Sequence, residues 1–134
     1  MLYRTLSLLA IICLPVAALS DDQKSALPSY TPFYHPKLGQ GVVIAPAVPG
    51  LSLDPSERAG NIDQAQALCE LYAKPVVADL TARFPEFRTN YIRLMMKSEE
   101  RDIDGKPGGP KGGTYFAMHF AWVNGRCGEP LDPR

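Results

Sequence analysis

Four sets of side chains in this sequence have the types and spacing to do chemistry. Glu100-Arg-Asp102-Ile-Asp104-Gly105 places carboxylates at alternate positions ahead of a glycine, the opening of a calcium loop. The pattern fails further on, because its twelfth position is Lys111 where a bidentate glutamate belongs, and neither flank reads as a helix. Met95, Met118 and His119, with Met96 beside them, offer thioether and imidazole ligands of the kind that hold copper. Adjacent strand residues face opposite sides, however, so Met118 and His119 cannot both ligate one ion from a regular strand. Methionine at strand spacing is also ordinary core filling. Arg83, Arg88, Arg93, Lys97 and Arg101 form the one locally basic region. Within it Tyr91, Arg93, Met95 and Lys97 alternate onto one side of a strand and make a candidate partner-binding face, set against the plainer reading of a solvated strand face. The fourth set is Cys69 and Cys127, discussed below.

Other chemistries find less support. Lys106-Pro-Gly-Gly-Pro-Lys-Gly-Gly113 is glycine-rich but lacks the order of a phosphate-binding loop and a helix after it. With His35 and His119 as the only histidines, a hydrolytic triad needs one of them beside a nucleophile, and the serines have no nucleophile-elbow context. A carboxylate pair of the glycosidase type needs no local motif, so a small hydrolase stays as a third reading. No catalytic residue and no cofactor is assigned.

The N-terminus reads as an export signal. Met1 to Arg4 is a short basic start, and Leu6 to Ala18 is an apolar run ending at small residues, with cleavage expected after Ser20. A lipid anchor on Cys13 is rejected, because Ile12 stands where a small residue is needed and apolar sequence continues beyond. No later stretch approaches the roughly 20 apolar residues of a membrane helix, so no transmembrane anchor is expected after cleavage. A periplasmic or secreted protein is expected. The whole chain has 14 Lys plus Arg against 14 Asp plus Glu. Losing Arg4 with the signal leaves a slight net negative charge, which argues against nucleic acid or an anionic membrane as the main partner. In an oxidising compartment Cys69 and Cys127 most simply pair with each other. A loop of about 60 residues closed in this way is worth about 4 kcal/mol through the unfolded chain. A redox-active pair is the weaker reading, since there is no Cys-x-x-Cys.

These residues must be positioned by a small set of elements. Residues 21–60 carry Pro28, Pro32, Pro36, Pro46, Pro49 and Pro55 and read as an extended arm, with Gly41 to Ala45 as an edge strand. Tyr30, Phe33, Tyr34 and His35 would dock this arm or form an exposed aromatic patch. Asn61 to Phe84 is the clearest helix, capped by Asn61 or Asp63, with Ala65, Leu68, Cys69, Tyr72 and Val76 on one face. Pro75 marks a kink or the start of a second helix, and Pro85 ends the segment. Asn90 to Lys97 alternates as a half-buried strand with Ile92, Leu94 and Met96 inward. Thr114 to Val123 alternates with both faces fairly apolar, which predicts a central strand covered by the helix on one face and the proline-rich arm on the other. Asn124-Gly125 is a tight-turn signal leading to Cys127. Ser98 to Gly113 reads as a mobile hairpin loop. The domains are then a signal peptide over 1–20, an arm over 21–60 and a small α+β domain over 61–134. In this design one helical segment packs on a small antiparallel sheet, tied by one helix-to-strand disulfide.

Ala67-Leu-Cys-Glu-Leu-Tyr-Ala-Lys-Pro75, Ile92-Arg-Leu94, Tyr115-Phe116 and Asn124-Gly-Arg-Cys127 together resemble a family of short exported proteins of unknown function from marine and photosynthetic alphaproteobacteria. There a Leu-Cys-x-x-Tyr-Ala-x-Pro helix precedes two strands, and an aromatic-rich strand leads through a glycine turn to a second cysteine. The resemblance spans about half the chain. It implies an exported protein with a helix-to-strand disulfide and supplies no activity or ligand. The function expected is a non-enzymatic accessory or binding module of the cell envelope, whose partner is an unknown envelope protein or small ligand. The rival expectation is a periplasmic metal-binding protein using Met95, Met118 and His119, or Glu100, Asp102 and Asp104.

Overall fold

The structure, a computed structural model, describes residues 26–134. The expected signal peptide therefore lies outside the described residues. Within them the order is β1 (Ser29–His35), β2 (Gly39–Ala45), a single 3-10 turn (Pro55–Glu57), α1 (Arg58–Arg83), β3 (Tyr91–Lys97), β4 (Arg101–Asp102), β5 (Lys111–Gly112), β6 (Tyr115–Val123) and β7 (Arg126–Leu131). Five strands form one sheet in the order β1-β2-β3-β6-β7, and β4 pairs with β5 in a separate small sheet. The α+β class, with the helix joined to a strand by the Cys69–Cys127 disulfide, is as expected. Among the described residues no helix is long and apolar enough to cross a membrane.

The sheet is larger than the sequence reading, and it is mixed. The proline-rich arm supplies two of its strands: β1 and β2 pair antiparallel, and β2 then pairs parallel with β3. A parallel pair needs a crossover, and here α1 provides it. Gly41 to Ala45 is thus not an edge strand but lies between β1 and β3. The prolines do not prevent this, because they fall where a missing donor costs little. Pro32 sits in the true edge strand β1, Pro36 in the turn after it, Pro46 just beyond β2 and Pro55 at the start of the 3-10 turn. The arm consequently extends the sheet at its side. It does not cover the second face of β6, as the alternating pattern had suggested.

One face of the sheet carries the core. Val42 and Ile44 of β2, Ile92, Leu94 and Met96 of β3 and Phe120 of β6 are fully buried there. Against them α1 turns Ala65, Cys69, Ala73, Val76 and Leu80, all buried, at intervals of three and four residues. Ala65, Cys69 and Ala73 are small, which lets the helix axis approach the sheet closely. Asp54 caps the 3-10 turn by accepting from the Ser56 backbone N–H at 3.0 Å, and the turn runs straight into α1. The helix therefore starts earlier than Asn61 or Asp63, and neither residue is its cap. Asn61 is buried instead, its side-chain amide donating to the Ser52 carbonyl at 2.8 Å. Pro75 is accommodated inside one continuous helix, at the cost of the bond its missing N–H would have made to Leu71.

The disulfide ties α1 to β7, with Cα atoms 6.2 Å apart. Asn124 and Gly125 both take positive φ, 53° and 73°, as the two-residue turn between β6 and β7 requires. The stretch from Ser98 to Gly113 holds the β4–β5 hairpin, where Arg101 pairs with Gly112 and Asp102 with Lys111.

Candidate functional site

The second face of the sheet has none of the described elements packed on it. By register it displays Thr31, Phe33 and His35 of β1, Gly41, Val43 and Ala45 of β2, Tyr91, Arg93, Met95 and Lys97 of β3, and Tyr115, Ala117, His119 and Ala121 of β6. The expected grouping of Tyr91, Arg93, Met95 and Lys97 on one side of a strand is what the register gives. Small residues alternate with large ones across this surface. Tyr91 lies enclosed among its neighbours, with the His35 and His119 rings beside its own.

Tyr91 is fully buried although it belongs to the uncovered face. Its ring lies across Gly41, the residue beside it on β2: a Cβ at Gly41 would meet the Tyr91 ring at 2.4 Å. Glycine inside a strand thus serves a close approach rather than a turn. His35 and His119 complete the enclosure. Their ring centroids lie 6.4 and 5.9 Å from that of Tyr91, and 6.3 Å from each other. His35 Nδ1 accepts the Lys37 backbone N–H at 3.1 Å, so the proton of the neutral ring sits on Nε2.

The polar atoms at and beside Tyr91 are unusual. Among the described residues, the buried side-chain nitrogens and oxygens without a hydrogen-bond partner are Thr89 Oγ1, Tyr91 Oη and Arg93 Nε. Tyr91 and Arg93 are alternate residues of β3 and share a face, and Thr89 lies in the lead-in to that strand. Each unpaired buried polar atom costs about 1–3 kcal/mol. On the helix side, by contrast, buried polar groups are paired: Asn61 as above, and Asp79 with Arg83 at 3.1 Å and with the Tyr30 hydroxyl.

The charge closest to Tyr91 and His119 is Arg93. Arg93 stands directly across from His119 in the β3–β6 register. Burial, then the Arg93 charge, then His35 hold the His119 imidazole below its ordinary pKa, so it is neutral near pH 7. Burial pushes the Tyr91 phenol up, partly opposed by Arg93. The charge that acts on both of these groups is that of Arg93. Among the described carboxylates, Glu99 pairs with Arg101, and Asp132 with Arg134 at 2.8 Å.

The other candidate residues are dispersed. Met118 faces the helix side opposite Leu94 and packs on the core, while Met95 and His119 lie on the uncovered face. Strand alternation therefore separates the proposed copper ligands. Glu100, Asp102 and Asp104 are exposed around the β4–β5 hairpin, and among the described residues no group of three or more His, Cys, Asp or Glu side chains is placed to hold a metal ion. Of the basic residues, Arg83 serves Asp79 and Tyr30, Arg88 donates to the Pro85 carbonyl and Arg101 pairs with Glu99. Arg93 and Lys97 are left on the open face. A concavity of about 310 Å³ lies beside the disulfide between Lys74, Trp122 and Arg126, and none of the unpaired buried atoms line it.

Sequence reasoning missed Thr89, Gly41 and the role of His35. A glycine two residues into a β-branched run was the available signal for Gly41, since it marks either a bulge or a close approach. No signal identified its partner, because the β2–β3 pairing joins segments almost 50 residues apart in sequence. No protein-family model, curated protein or solved structure matches this chain.

Proposed function

We propose that this protein is a non-enzymatic binding module of the cell envelope, and that the helix-free face of its sheet receives a negatively charged ligand. The observation that carries the reading is the row of unpaired buried atoms, Thr89 Oγ1, Tyr91 Oη and Arg93 Nε, along that face. A fold tolerates such a concentration of unsatisfied groups where something outside the chain completes their hydrogen bonds. The sign of the ligand follows from the charges: Arg93 and Lys97 project from the same side of β3, and Arg93 is the charge that acts on both Tyr91 and His119. Binding rather than turnover is supported by the state of the reactive groups. Cys69 and Cys127 are consumed in the disulfide, and the two imidazoles face each other and an arginine instead of an orienting carboxylate. The export signal read from residues 1–20 and the disulfide support a periplasmic or secreted location.

The test exploits Met95 and Met96, adjacent residues on opposite faces. Methyl and Arg93 Nε–H resonances of the chain are followed during titration with a deca-glutamate peptide and, separately, a deca-lysine peptide. Shifts of Met95 and Arg93 with the acidic peptide, while Met96 stays still, are the expected result. Equal response to both peptides, or to neither, contradicts the reading.

A further inference from the structure

The concavity of about 310 Å³ beside the disulfide is formed between two elements, α1 and the β6–β7 hairpin. Glu70 and Lys74 line it from the helix, Trp122 and Arg126 from the hairpin, and the Cys69–Cys127 bond joins the two walls. Trp122 stands opposite Cys127 in the β6–β7 register, so the indole and the disulfide share a face. Glu70, Lys74 and Arg126 are exposed and Trp122 is half-buried, so a ligand can reach all four. The indole is unclaimed by the fold. Among the described residues no aromatic ring and no guanidinium lies over it, whereas the Arg83 guanidinium covers Tyr30 and Phe84 at 5.6 and 5.9 Å. Its N–H makes no hydrogen bond within the described chain and is not among the buried unpaired atoms, so it stays open to an incoming acceptor. Lys74 and Arg126 form no ion pair among the described residues. Neither does Glu70, although it precedes Lys74 by four residues on α1, the spacing at which helix pairs form.

We propose that this concavity binds a small planar aromatic monocarboxylate, its ring against the Trp122 indole and its carboxylate held by Lys74 and Arg126. An indole offers a broad flat surface on which another ring gains more than its buried area alone provides. Two cations and one accessible indole N–H are all donors, and a carboxylate is an acceptor with several lone pairs to share among them. Glu70 sets the charge of the ligand. With it the lining carries a net charge of plus one, which suits a single carboxylate and disfavours a dianion. Size points the same way, because the volume lies at the small end of ligand sites and suits one ring with a short side chain. The disulfide fixes the distance between the walls, so the site is formed before a ligand arrives. It shares no residue with the row of Thr89, Tyr91 and Arg93, and it does not depend on the open face.

The experiment is titration of the disulfide-bonded protein with trans-cinnamate, against cinnamamide as the uncharged isostere and hexanoate as a carboxylate without a ring. Trp122 is the only tryptophan of the chain, so the fluorescence of its indole and its N–H resonance report this site alone. Saturable binding of trans-cinnamate in the low millimolar range is expected, with cinnamamide and hexanoate about fivefold weaker or worse. Lys74→Gln and Arg126→Gln, both at exposed positions that the core does not need, should each weaken it about threefold, as loss of a partly exposed ion pair requires. The two together should weaken it about tenfold. Arg58→Gln, at the start of α1, should leave it unchanged. Raising the salt concentration should weaken trans-cinnamate and leave cinnamamide unaffected. Failure of trans-cinnamate to saturate by about 50 mM overturns the proposal. So does cinnamamide or hexanoate binding as tightly as trans-cinnamate, or an Arg58→Gln loss equal to that of Lys74→Gln. The deca-glutamate response is read at Met95 and Arg93, so the open-face reading and this one fail separately.

Discussion

The two faces of the five-stranded sheet are built from the same strands, residue by residue, yet they solve opposite problems. On the helix side Ile92, Leu94, Met96 and Phe120 disappear completely beneath α1, and the buried polar groups there, Asn61 and Asp79, are each hydrogen-bonded. On the other side Tyr91 is equally buried, but its hydroxyl and its neighbours Thr89 and Arg93 have unpaired polar atoms. Burial alone therefore does not distinguish a core from a site in this molecule. Satisfaction of polar groups does, because a core gains nothing from an orphaned donor whereas a ligand site needs one in place beforehand.

The largest way to separate the faces is to truncate adjacent residues of β6. Phe120→Ala should cost about 3–5 kcal/mol, the price of a cavity under the helix. His119→Ala, one residue away on the open side, should change stability by less than about 1 kcal/mol. Urea unfolding of the two variants checks this, and equal losses would break the distinction. Replacing Cys69 and Cys127 together by alanine should cost about 2–4 kcal/mol, by releasing the closed loop in the unfolded chain and loosening α1 from β7. Gly41→Ala should cost about 1–3 kcal/mol, because its methyl overlaps the Tyr91 ring, and near-ultraviolet circular dichroism should report the displaced tyrosine. A methyl at exposed Gly60, which meets no neighbour, has no such consequence.

A smaller effect comes from protons. The folded pKa of His119 lies below its ordinary value, so as the pH falls through about 6.5 the unfolded chain binds the proton first. The stability associated with neutral His119 is present above that value and is lost progressively as the pH drops toward the folded pKa. His119→Gln should remove this part of the pH dependence of the urea midpoint. Persistence of the slope in the variant would place its origin elsewhere.

Much of this contrast was legible along the chain, and the remainder was not for definite reasons. Alternation within β3 and β6 separates the two faces, and helical spacing points Cys69 inward, because both patterns are local. The disulfide follows from two cysteines in an oxidising compartment. The strands of the arm were obscured by proline, whose cost depends on whether a strand is an edge, and that is decided by pairing rather than by sequence. Likewise the 3-10 turn capped by Asp54 precedes the apolar periodicity that reveals the helix, so the earlier start of α1 is not marked in the pattern. The site was half visible: Tyr91, Arg93, Met95 and Lys97 share a face by alternation alone. His35, Gly41 and Thr89 join them only through the β1–β2 hairpin and the parallel β2–β3 register.

The most direct test compares two tyrosines. Tyr30 is bonded to Asp79 and Arg83 on the helix side, and Tyr91 has an unpaired hydroxyl on the open side. Urea unfolding of Tyr30→Phe and Tyr91→Phe removes one oxygen from each. The account predicts a loss of about 1–3 kcal/mol for Tyr30→Phe and no loss, or a slight gain, for Tyr91→Phe. A loss for Tyr91→Phe equal to that for Tyr30→Phe would mean that the hydroxyl is satisfied within the fold, and would contradict the claim that this face waits for a ligand.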